Sequence, residues 1–123
     1  MIKDIVFVGI GSGIGGICRY LISLSMSHSQ GSFPWGTFSV NIVGCLLIGI
    51  LWGLTSRLQH LALAFSLLFM VGFCGGFTTF STFSKEGLMM LQNNNYTLFA
   101  LYILGSVALG IAAVALGYMT TKL

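Results

Sequence analysis

The sequence predicts an all-α membrane protein with four transmembrane helices per chain, on three observations. Charged residues make up only 6% of the 123, four apolar runs are each long enough to cross a bilayer, and short polar stretches separate them. A water-soluble domain of this size carries about 25% Lys, Arg, Asp and Glu. With 56% hydrophobic residues and a mean hydropathy of +0.99, this chain lacks the polar surface to stay dispersed in water.

Each span needs about 20 mostly apolar residues, because a helix rises about 1.5 Å per residue through about 30 Å of hydrocarbon. The first run covers about 4–26 and ends in the polar stretch 27–32. The second covers about 36–57, opening after Phe33-Pro34-Trp35 and closing at Arg57. The third occupies about 62–91 and stops before Gln92-Asn93-Asn94-Asn95, and the fourth runs over about 96–121. Lys3 ahead of an apolar stretch resembles the start of a signal peptide, but no convincing small-residue cleavage site follows and the hydrophobicity continues past Arg19. The reading is a single four-helix domain over 1–123, with His28 and His60 in loops.

Composition excludes several function classes. The two acidic residues, Asp4 and Glu86, lie far apart in the chain and at helix ends, so no catalytic carboxylate pair forms and no enzyme is expected. Lys85 and Glu86 are read as marking the membrane boundary of the third run. The five basic residues, Lys3, Arg19, Arg57, Lys85 and Lys122, are scattered singly, so no nucleic-acid partner is indicated. Cys18, Cys45 and Cys74 sit inside apolar runs without metal-ligand spacing and read as small buried hydrophobes. The stretch Gly11-Ser12-Gly13-Ile14-Gly15-Gly16 satisfies GxGxxG, but it has neither the βαβ unit nor the acidic residue that a dinucleotide site requires.

An even number of spans puts Lys3, Arg57 and Lys122 on one side and Arg19 and Lys85 on the other. The positive-inside rule then has little to act on. Dual insertion and an antiparallel homodimer follow as one expectation; the other is that a single charge decides the topology. Gly9 and Gly13, Gly49 and Gly53, and Gly72 and Gly76 stand four apart, a spacing that lets helix backbones approach closely in lipid.

The third run is unusual, because about 30 residues make about 45 Å of straight helix, beyond the hydrocarbon thickness. It contains Gly75-Gly76 followed by Thr78, Thr79, Ser81 and Thr82, residues suited to a helix N-cap. A break near 74–78 is expected. A discontinuous helix at membrane depth offers carbonyls to a cation and N–H groups to an anion. Phe80 and Phe83, three apart, share a face, and aromatic edges carry positive potential that can meet an anion. Asn41 is the lone amide of the second run and needs a partner in lipid, either bridging helices or lining a pathway. Tyr102 and Ser106, four apart, extend a polar stripe that stops at Gly110. Arg19 is a snorkelling anchor or an attractor of anions in a vestibule.

Three segments carry a resemblance: Gly15-Gly16-Ile17-Cys18-Arg19-Tyr20, Gly36-Thr37-Phe38-Ser39-Val40-Asn41-Ile42-Val43-Gly44, and Gly72 through Phe83. Together they resemble the bacterial fluoride channels of the Fluc, or CrcB, family over essentially the whole chain. The resemblance implies an antiparallel homodimer in the bacterial inner membrane, with two fluoride pathways and a central Na+ that is structural and not transported. It implies that the main-chain carbonyls of Gly75 and Thr78 hold the sodium, that Phe80 and Phe83 present ring edges to fluoride, and that Asn41 donates an N–H in the pathway. Ser81, Thr82, Thr37, Tyr102 and Ser106 are further pore-lining donors on this reading, and Arg19 faces the vestibule. A small multidrug exporter, the nearest rival, needs a membrane-embedded carboxylate, whereas Asp4 and Glu86 both read as lying at helix ends and none lies centrally. An accessory membrane subunit would leave the polar cluster of the third run without a purpose.

Overall fold

A computed structural model describes residues 1–26, 33–58, 60 and 63–122. Among the described residues four helical spans are present: Ile2–Ser25, Trp35–Arg57, Leu63–Gln92 and Tyr96–Thr121, the last helix continuing to Lys122. With helices this long and apolar, the chain is a multi-pass membrane protein. His28 lies outside the described residues, and His60 is exposed in the turn after the second span.

The third span is discontinuous. An α-helical turn over Leu63–Ser66 passes into a π-helical stretch, Leu67–Cys74, and then a last α turn, Gly75–Phe77. Thr78 is extended, at φ −88° and ψ 161°, and the helix resumes as Ser81–Gln92. The interruption therefore falls at 78–80, later than the expected 74–78. The paired glycines do not break the helix themselves, since Gly75 is still αR at φ −62° and ψ −40°. The Thr78 hydroxyl bonds back to the Cys74 carbonyl at 2.8 Å, a contact that bends helices, and the chain leaves the helix at that residue.

Packing divides at this break. The half before it lies against the first span, and the half after it lies against the fourth; the second and fourth spans form the most extensive pair. Both contacts depend on glycine. At Gly49 an added Cβ would run into the Val114 carbonyl, and at Gly117 into the Leu46 carbonyl. Gly11 and Gly15, rather than the expected Gly9 and Gly13, press the first span onto the third, facing the backbone of Leu68 and Phe73. Gly9 and Gly13 are exposed with open space over them, because they lie on the opposite side of the same helix. The turn between third and fourth spans places Asn94 at φ 59°, a left-handed conformation that Asn tolerates.

Candidate functional site: the break in the third span

In an unbroken helix each N–H donates to the carbonyl four residues earlier. At the break two amides are diverted to side chains. The Thr79 N–H, whose helical acceptor would be Gly75, donates instead to Asn41 Oδ1 at 2.8 Å. The Thr82 N–H, whose acceptor would be Thr78, donates to Thr79 Oγ1 at 3.2 Å, which is what an N-cap oxygen does. The carbonyls of Gly75 and Thr78 thus lose their helical donors. They are the two carbonyls that the family resemblance assigns to sodium.

Asn41 also donates from Nδ2 to the Thr79 carbonyl at 3.0 Å. One amide therefore satisfies both polar groups of the peptide at the centre of the break, and the donated Thr79 N–H fixes which way the amide faces. The second Nδ2 hydrogen is not used in this exchange. Arg19 contributes as well, its Nε donating to the Gly76 carbonyl at 3.0 Å. The guanidinium of a first-span residue is thereby tied to the break.

A groove of about 490 Å³ opens beside these groups, and Asn41, Gly75, Thr78, Phe80, Phe83 and Ser106 are among its lining residues. Six expected site residues from three spans are thus brought to one surface. Phe80 and Phe83 are held differently. Phe80 is 78% exposed, whereas Phe83 is 9% exposed and packs on Tyr102, with ring centroids 5.0 Å apart. The Phe80 and Phe83 rings lie 6.0 Å apart and are inclined at 42°. Ser106 Oγ is buried and has no hydrogen-bond partner among the described residues, so it is free to donate toward the groove.

Thr37 and Tyr102 belong to a second cluster. The Thr37 hydroxyl donates to Glu86 Oε2 at 3.0 Å, and the Tyr102 hydroxyl donates to Glu86 Oε1 at 2.8 Å. Thr37 is 5% exposed and Tyr102 fully buried. Glu86, expected as a boundary residue, is half-buried between the second and fourth spans and takes both hydroxyls, while Lys85 beside it is exposed. A carboxylate gathering two hydroxyls is a stable arrangement in a low-dielectric interior. Phe33 and Phe83 pack their rings on Tyr102, and Phe38 packs on Phe33. A signal for Glu86 was present in the periodicity, because Phe83, Gly87 and Met90 are the buried residues of this helix and Glu86 falls on their face.

Ser81 is exposed, its Oγ 3.4 Å from Thr79 Oγ1, and Thr82 enters the network through its backbone. Neither lines the groove. Of the cysteines, only Cys74 is buried as expected; Cys18 and Cys45 are half-buried. Gly110 is buried with Cys45 Sγ 3.4 Å from the place a Cβ would take, so the polar stripe ends there in close packing.

Comparison with known proteins identifies the family. The family described as CrcB-like protein, Camphor Resistance (CrcB), matches residues 6–118. The chain is 50% identical over 117 residues to a protein of Phocaeicola vulgatus named fluoride-specific ion channel FluC, covering 94% of this chain and 95% of that one. It is 46% identical over 123 residues to the protein of that name from Azobacteroides pseudotrichonymphae, covering 99% and 98%. A further protein so named, from Flavobacterium psychrophilum, is 39% identical over 121 residues, covering 98% of each. The match takes in all four spans, the break and both polar clusters, and the chain belongs to the CrcB family.

Proposed function

We propose that this chain forms a fluoride-selective channel, in the inner membrane of a bacterial cell, that lets fluoride leave passively and so limits its accumulation. One observation carries the reading most directly: Asn41, Phe80, Phe83 and Ser106 meet on one groove beside a break whose backbone is satisfied by side chains. The relatives named as fluoride channels supply the identity of the ion.

Fluoride is small and strongly hydrated, so a path for it must replace water with close donors. The unused Asn41 N–H and the Ser106 hydroxyl are such donors, and the positive edges of Phe80 and Phe83 add weak, successive attraction. Conduction needs sites firm enough to offset dehydration and weak enough to release the ion. Ring edges meet that requirement better than a fixed cation, and Arg19, bound to the Gly76 carbonyl, serves at the vestibule. Ser81 and Thr82 lie beside the break and not on the groove, and Thr37 and Tyr102 give their hydroxyls to Glu86, so these four act as neighbours of the path and not as its first donors.

The working unit on this reading is an antiparallel homodimer with a structural Na+ at its centre. The donor set fits: Gly75 and Thr78 have carbonyls released from the helix ladder, Gly75 is exposed with open space over it, and hard cations take oxygen ligands. When bound, the ion would be held by the Gly75 and Thr78 carbonyl oxygens of each copy and would supply positive charge at the centre of the dimer. No proton exchange or bond-making is involved, so the activity is transport and not enzymatic.

Liposomes holding the purified protein test the proposal by comparing fluoride with chloride efflux under potassium and valinomycin. Fast fluoride efflux with chloride retained is the expected outcome. Release of neither anion from protein shown to be dimeric and sodium-loaded overturns it.

A further inference from the structure

Sulfur is concentrated on one wall of the groove. Cys45 of the second span and Met70 and Cys74 of the third all line it, and both thiols are free. Met70 and Cys74 fall within the π-helical stretch, whose i→i+5 bonding widens the turn, and both are presented to the same cavity. The second and third spans touch beside these thiols, since a Cβ on Gly44, next to Cys45, would run into Thr78, four residues after Cys74. Gly110 leaves space for the Cys45 sulfur, since a Cβ there would stand 3.4 Å from it.

We propose that Cys45 and Cys74 form a two-thiolate site for a soft metal cation of the Hg(II) class, with the Met70 thioether as a supporting third sulfur. Soft sulfur ligands select soft ions and leave hard cations such as sodium and magnesium unbound. Each thiol releases its proton to water as its S–Hg bond forms, and no electron changes hands. A divalent ion held by two thiolates is neutral, so the site adds no uncompensated charge to a low-dielectric interior. Because Asn41, Phe83 and Ser106 share this groove, an ion held there narrows the route proposed for fluoride. The binding half of the proposal stands apart from the fluoride reading; the blocking half rests on it.

The test uses full-length protein carrying Cys18→Ser, so that only the two groove thiols remain. One equivalent of mercuric nitrate is added in chloride-free buffer, the still-folded protein is treated with excess maleimide under conditions in which mercury-free protein takes up two, and intact mass is then measured. One mercury per chain and no maleimide is expected. One mercury with one maleimide, the mark of a single-thiol adduct, overturns the two-thiolate site. Cys45→Ala and Cys74→Ala, each in that background, should release mercury to a glutathione competitor at concentrations lower by about tenfold or more, equal to about 1.4 kcal/mol; unchanged retention in either variant removes that residue from the site. In liposomes, mercury should cut fluoride efflux by about tenfold or more, with recovery on adding dithiothreitol, by narrowing a path that must hold the ion closely. Mercury bound by both thiols with efflux unchanged overturns the block while leaving the site, and protein with no fluoride efflux at all is still judged by its mass.

Discussion

Asn41 and Thr79 exchange two hydrogen bonds across the break, the amide nitrogen donating to the Thr79 carbonyl at 3.0 Å and the Thr79 N–H donating to the amide oxygen at 2.8 Å. Asn41→Asp keeps the acceptor and loses the donor, setting a carboxylate beside a carbonyl. The expected result is a loss of about 1–3 kcal/mol in stability, read as a lower melting temperature in detergent, together with reduced fluoride efflux and retained dimer assembly. Wild-type efflux from the variant would remove Asn41 from the mechanism.

Phe80 and Phe83 should separate function from folding. Phe80 is 78% exposed, so Phe80→Ile should lower fluoride efflux with little change in melting temperature. Phe83 is 9% exposed and packed on Tyr102, so Phe83→Ala should cost about 3–5 kcal/mol and lower the yield of folded protein. Equal effects of the two substitutions on stability would contradict this division.

Thr37 and Tyr102 serve the same carboxylate. Thr37→Val and Tyr102→Phe each remove one charge-assisted hydrogen bond to Glu86, worth about 1.5–3 kcal/mol. Because they share Glu86, the double variant should depart from the sum of the singles by about 0.5 kcal/mol or more. Additive melting shifts would mean that the two bonds act independently.

Glycine substitutions provide a packing test. Gly49→Ala drives a methyl into the Val114 carbonyl and should destabilise the chain by about 1–3 kcal/mol. Gly105 has open space over it, and Gly105→Ala should change stability by less than about 1 kcal/mol, helix propensity favouring Ala. Size-exclusion recovery after heating distinguishes the two.

The four spans were legible because apolar run length and the scarcity of charge have no other economical reading in a chain of this kind. The discontinuity in the third span was legible from its excess length and its Thr-rich centre. Its position was not: it depends on the Thr78 hydroxyl returning to the Cys74 carbonyl and on an amide arriving from the second span. Asn41 was evident as a residue needing a partner, yet nothing local identified Thr79 as that partner. Glu86 was missed because its neighbour Lys85 suggested a boundary, although Phe83, Gly87 and Met90 mark a buried face that includes it. The same limit applied to Gly9 and Gly13, whose spacing suits close approach equally well on either side of a helix.

The change of packing partner within the third span has a consequence for assembly order. Chains emerge from the ribosome N-terminus first, so residues 63–77 meet a first span already made, while residues 81–92 await a fourth span not yet synthesised. During that interval Glu86 has Thr37 to bond but not Tyr102, and an incompletely satisfied carboxylate is poorly tolerated in lipid. The second half of the third span should therefore settle late, when the fourth helix arrives and delivers the Tyr102 hydroxyl. Release of a chain before residue 102 would leave the Glu86 carboxylate half bonded, giving quality-control proteases a physical basis for telling unfinished chains from finished ones.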